Sequence, residues 1–82
     1  MKITSLTELG QAIQATRKQT GITQEDFAAM LDTSHVSLLR LEKGAPGVNA
    51  GLLFHALEEL GIELTISVPQ APGLVDDLET DN

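Results

Sequence analysis

The segment Ser34-His-Val-Ser-Leu-Leu-Arg-Leu-Glu-Lys43 sets four chemically useful side chains on one side of a short helix: His35, Val36, Ser37 and Arg40. Leu38 and Leu41 fall on the other side, where they would be buried. An arginine at such a position presents a planar fork of donors. It could bind guanine O6 and N7 bidentately, which is worth about 1–3 kcal/mol of discrimination. Val36 could touch a thymine methyl group, and His35 or Ser37 could meet a base edge or a phosphate. The competing assignment for Arg40 is a solvated surface arginine or an intrahelical ion pair. For His35 it is an ordinary surface histidine in a first helical turn. His35 has no second histidine, cysteine or acidic residue at ligand spacing, so metal binding there is rejected, and His55 on the fourth helix reads as a partly buried interface residue rather than a catalyst. No Ser/His/Asp or Cys/His arrangement, paired-carboxylate site or phosphate-cradling glycine loop can be assembled, and no enzyme or cofactor is expected.

Four helices must position these residues. Ser5 is an N-cap with Glu8 three residues on, the pattern of a capping box, and Leu6, Leu9 and Ile13 then recur at helical spacing. This predicts a helix over 6–19, stopped at Gly21. Thr23 is the next cap, with Ile22 and Phe27 placed as a hydrophobic staple, and predicts a helix over 24–31. Asp32 and Thr33 make a tight turn, where aspartate tolerates a left-handed backbone better than most residues. Ser34 caps the helix 35–43, ended by Gly44. Asn49 caps a fourth helix over 50–60, with Val48 and Leu53 repeating the staple and Gly61 as its stop.

The fourth helix is apolar over more than one face, through Leu52, Leu53, Phe54, Ala56, Leu57 and Leu60. A helix of that kind must be covered on several sides. A chain of 82 residues hides only about 60% of its unfolded surface, so its core is marginal and a dimer is expected. Beyond Gly61, Ile62-Glu-Leu-Thr-Ile-Ser-Val68 alternates with period two and reads as one strand without a second to pair it. The economical partner is the same strand of a second copy. Leu53, Phe54, Leu57, Leu60, Ile62, Leu64 and Ile66 are the expected dimerisation residues. Residues 1–68 are thus expected to form one domain. Residues 69–82 are acidic, contain Pro and Gly, and are expected to be a disordered tail.

The charge argues the other way from the helix at 35–43. Five basic residues face twelve acidic ones, a net −7, which ordinarily signals a partner other than DNA. Four of the acids, Asp76, Asp77, Glu79 and Asp81, lie in the tail. Without them the balance is five against eight, or −3. There is no cysteine, no apolar run long enough for a membrane span and no signal-peptide pattern, so a cytoplasmic protein with no membrane partner is expected. With only Phe27 and Phe54, no aromatic platform for single strands is available.

From Gln24 to Gly44 the chain resembles the phage repressor/Cro-type (XRE-like) helix-turn-helix family. The resemblance rests on Thr23-Gln24 opening the second helix, Ala28 in its middle, Ser34 opening the third and Glu42-Lys43-Gly44 closing it. With the added strand and acidic tail it is most like the HipB-type antitoxins. The resemblance implies a mainly α, four-to-five-helix domain whose C-terminal strand pairs across a dimer. It implies double-stranded DNA with an inverted-repeat operator, repression of the protein's own operon, and neutralisation of a kinase-like toxin. It also implies that Gln24 meets a phosphate, the alternative being an ordinary exposed residue at a helix start. Lys18 and Lys43 are candidate phosphate contacts, the alternative being simple solubilising charges, and Ser34 is a further candidate DNA-binding residue. Arg17 and Glu42 would form a buried ion pair joining the first helix to the third. Asp32 stands where the family commonly has Gly, and Val36 and Leu39 stand where many relatives carry polar readers. The alternative to DNA binding is a protein-interaction module that neutralises a partner without touching DNA, which the net charge favours.

Overall fold

A computed structural model describes residues 2–69. Within them lie four helices: α1 (Leu6–Gln19), α2 (Gln24–Met30), α3 (His35–Lys43) and α4 (Ala50–Leu60). Each begins at a side chain that caps a free backbone amide. Ser5 accepts from the Glu8 amide at 3.1 Å, Thr23 from Asp26 at 3.1 Å, Ser34 from Ser37 at 3.1 Å and Asn49 from Leu52 at 3.0 Å. A cap of this kind stabilises a helix by about 1 kcal/mol. Glu8 departs from the simple capping box, because its carboxylate reaches past Ser5 to the Thr4 amide and hydroxyl. Those two hydrogen bonds from Thr4 hold the Glu8 carboxyl below its ordinary pKa.

The α2–α3 turn is made at Asp32, whose φ of 52° is the one positive value for a non-glycine among the described residues. α2 stops at Met30, one residue before the expected end, since Leu31 already serves as its C-cap. Gly44 ends α3 at φ 69°, and a Cβ there would strike the Thr7 backbone. Gly10 marks an equally close approach. A Cβ on it would lie 2.5 Å from the Glu42 carbonyl oxygen and 2.6 Å from that of Leu41. α1 therefore crosses the end of α3 nearly backbone to backbone.

The core is built from Leu9, Ile13, Phe27, Ala28, Leu31, Leu38, Leu41, Ala56 and Leu57. α1 packs on both α3 and α4, and α2 packs on α3. Leu57 is only 3% exposed, inside its own chain's core, and this corrects its assignment to a dimer interface. A helix apolar over more than one face does not reveal from sequence which of those faces turns inward. Leu53, Leu60 and Ile62 are half-buried against the same core, whereas Phe54, Leu64 and Ile66 are exposed. Residues 62–69 form neither helix nor strand in the single chain. Leu64, Ile66 and Val68 stay 44%, 77% and 37% exposed there. The tail expected over 69–82 lies, beyond Pro69, outside the described residues. No helix among the described residues is long and apolar enough to cross a membrane.

One ion pair lies inside this core. Arg17 of α1 is 5% exposed and Glu42 of α3 is 3% exposed. Arg17 Nε donates to Glu42 Oε2 at 2.6 Å and Nη2 donates to Oε1 at 3.1 Å. Arg17 Nη1 donates to the Ile22 carbonyl at 2.9 Å, which also ties down the α1–α2 turn. No buried side-chain polar atom among the described residues lacks a partner. Charges this deep are costly to desolvate and become tolerable only when so paired. Glu42→Ala should therefore lower unfolding free energy by about 3–5 kcal/mol in urea denaturation. The double change Arg17→Met with Glu42→Leu should recover most of that loss. A cost below about 1 kcal/mol for the single change would mean that the pair does not matter to the fold.

Candidate nucleic-acid interface

α3 turns Leu38, Leu41 and Glu42 inward and exposes His35, Val36, Arg40 and Lys43. Ser37 and Leu39 are partly covered. Val36 is 66% exposed, an apolar side chain left in water near the start of the helix. The only acidic residue on α3 is Glu42, and it is buried and paired. The outward side of α3 therefore carries two cations and no carboxylate of its own, although the chain as a whole is acidic. Arg17, by contrast, is removed from the surface by its ion pair. The exposed cations among the described residues are Lys2, Lys18, Arg40 and Lys43.

Two hollows flank this surface. Gln14, Arg17, Lys18, Thr23, Gln24, Glu25 and His35 line the first, at the meeting of α1, α2 and the start of α3. Gln24 spans it. Its Nε2 donates to Glu42 Oε1 at 3.1 Å, and its Oε1 meets His35 Nε2 at 3.0 Å. Lys18, Gln24 and His35 are thereby brought together, and Gln24 is held by the protein on both ends of its amide. Ser37, Arg40, Gly47, Val48, Asn49 and Leu52 line the second hollow, between α3 and the loop that leads to α4. There Arg40 Nη2 donates to the Pro46 carbonyl at 3.0 Å. Arg40 is exposed and not in an intrahelical ion pair, and the loop carbonyl holds one end of it. The loop steadies the guanidinium with one of its five N–H groups and leaves the others available.

Ser34 caps α3 at its exposed start, and its hydroxyl also meets Ser37 Oγ at 3.0 Å. Lys43 stands exposed at the end of α3 and lines neither hollow. Sequence reasoning missed two links: the Gln24 bridge and the Pro46 anchor of Arg40. The bridge joins positions 18 and 11 residues apart in sequence, so no local pattern announces it. His55 sits apart on α4 beside Glu59 Oε1 at 3.4 Å. No group of three or more potential metal ligands occurs among the described residues.

The arrangement is that of a helix offered outward between two polar flanks, the shape by which such motifs enter a major groove and hold the backbone on either side. Comparison with known proteins agrees in fold. Residues 13–66 match the family model for the helix-turn-helix. Among solved structures, HipB in a complex with HipA and O2-O3 superposes with a TM-score of 0.74 at 24% identity, covering 85% of this chain and 99% of HipB. HipB in its O4 20mer complex gives 0.73 at 24% identity over the same shares. HipB in its O1-O2 complex gives 0.74 at 25% identity, covering 83% of this chain and 99% of HipB. No curated protein matches the sequence. With the family match spanning most of the described residues, the chain belongs to the XRE-like helix-turn-helix family and shares the fold of HipB.

Proposed function

We propose that this chain is a non-enzymatic, dimeric, sequence-specific DNA-binding repressor, the antitoxin of a HipBA-like pair that regulates its own operon. The observation that carries the reading is the outward side of α3, where exposed Val36 lies among His35, Ser37 and Arg40 with no acidic neighbour on the helix. Arg40 reads a guanine edge, Val36 packs on a thymine methyl, and Lys18, Gln24, Ser34 and Lys43 contact phosphates. Two copies set their α3 helices in successive major grooves about 34 Å apart, so the operator is an inverted repeat. Residues 1–68 act as the DNA-binding and dimerisation unit. Phe54, Leu64 and Ile66, exposed in the single chain, are covered in the dimer by pairing of residues 62–68 across the two-fold. Leu53, Leu60 and Ile62 flank that contact. HipB is found in complexes with HipA and with O-series partners, and the partner proposed for this chain is likewise a HipA-like toxin.

Gel-shift binding to DNA upstream of the chain's own gene tests the reading at about 0.15 M salt. Arg40→Ala should weaken the complex by about 5- to 150-fold, the equivalent of one lost bidentate base contact. With about four Lys/Arg–phosphate contacts per dimer, log affinity should fall with log salt at a slope near −4. A slope near −10 contradicts this contact set. Failure of wild type to bind even a random-sequence duplex library leaves the protein-interaction module as the correct reading.

Removal of residues 62–68 tests the dimer separately. Analytical ultracentrifugation should show a dimer that dissociates at far lower concentration than the intact protein. A shortened chain that remains a tight dimer would overturn the strand pairing.

A further inference from the structure

We propose that DNA binding by this chain takes up protons at His35, which serves as a phosphate ligand whose outward nitrogen is set by the buried ion pair through Gln24. The inference rests on the DNA-binding reading above and adds to it a proton-dependent contact. Ionised Glu42 can only accept hydrogen bonds, so the Gln24 group beside its Oε1, at 3.1 Å, must be the amide NH2. That fixes the Gln24 amide and turns its carbonyl oxygen to His35 Nε2 at 3.0 Å. A carbonyl oxygen is also an acceptor only, so His35 carries a hydrogen on Nε2 in every protonation state compatible with this contact. The remaining nitrogen, Nδ1, has no protein partner among the described residues and belongs to an exposed side chain. On the neutral ring it is an acceptor and cannot bond a phosphate oxygen. On the protonated ring it is a charged donor and can.

The charges around the hollow are balanced before an anion enters it. Arg17 and Lys18 come from α1 and Glu25 from α2, and Glu42 of α3 lies one hydrogen bond further, behind Gln24. Arg17 and Glu42 neutralise each other, which leaves Lys18 opposite Glu25. A DNA phosphate entering this hollow meets Lys18 and the Gln24 side and favours the imidazolium over the neutral ring. Binding then draws a proton onto His35 in each protomer, and affinity rises as pH falls. Gln24 and Glu42 are positioning residues in this scheme, and His35 is the group that touches the ligand.

Two measurements on the intact protein test it. In the free protein, nitrogen-15 shifts of the His35 ring should show the Nε2–H tautomer, and an Nδ1–H tautomer overturns the proposal. Fluorescence anisotropy with the tightest duplex selected from a random library then reads the coupling at fixed salt. The wild-type dissociation constant should fall about tenfold or more between about pH 8 and about pH 6. His35→Gln, an exposed change that keeps a donor but cannot titrate, should respond by less than about twofold over the same range. His55→Gln, which removes the chain's other histidine, should keep the wild-type response. Binding with equal pH dependence in wild type and His35→Gln overturns this inference alone. Absence of binding at every pH overturns it together with the DNA-binding reading.

Discussion

The buried contact between Arg17 and Glu42 is the constraint on which the rest of the domain depends. It ties the last turn of α1 to the last turn of α3, about two helical turns along α1 from Gly10, where the two backbones come close. A buried pair is a poor source of net stability, because the desolvation of both charges offsets most of their attraction. Its consequence is directional. The fork of Arg17 meets the carboxylate of Glu42 at two atoms and reaches the Ile22 carbonyl with a third, so few angles between α1 and α3 satisfy all three bonds. Apolar contacts among Ile13, Leu38 and Leu41 would tolerate sliding, whereas this set does not. The remaining lone pairs of Glu42 then orient Gln24, and Gln24 orients His35. A single buried carboxylate thus fixes the helix that faces outward and the polar group at its start.

Much of this was legible in the sequence, and the pattern of success has a physical cause. Helix starts are local events: a hydroxyl or amide side chain must lie three residues before the amide it caps, so Ser5, Thr23, Ser34 and Asn49 could be read directly. The left-handed turn at Asp32 is local too. The Gln24 bridge and the Pro46 anchor of Arg40 were not legible, because they depend on how α2, α3 and the following loop meet in space. Gly10 is silent for the same reason: its lack of a side chain matters only because α3 passes over it. Leu57 shows the converse. Its apolar character was plain, but only packing decides that it belongs to its own core while Phe54, three positions away on the same helix, is left exposed.

The acidity of the chain and the surface proposed to read DNA are reconciled only in part by placement, since Glu25 lines the hollow that holds Lys18 and His35. Formal charge treats all residues alike, but binding is governed by the field at the contact, which is dominated by groups within about one Debye length of roughly 8–10 Å. The acids of the described residues sit on α1 near its start, on α2, in the α2–α3 turn, and on or after α4. The one on α3 is buried against Arg17. The long-range repulsion between an acidic protein and a polyanion still slows encounter and limits the number of phosphate contacts. A protein of this kind must therefore draw more of its affinity from contacts to base edges and from shape, and less from counterion release, than a basic one does. That demand falls on the few groups α3 presents. Arg40 is held by the Pro46 carbonyl and His35 by Gln24, and a side chain already ordered loses less entropy on meeting the ligand proposed for it.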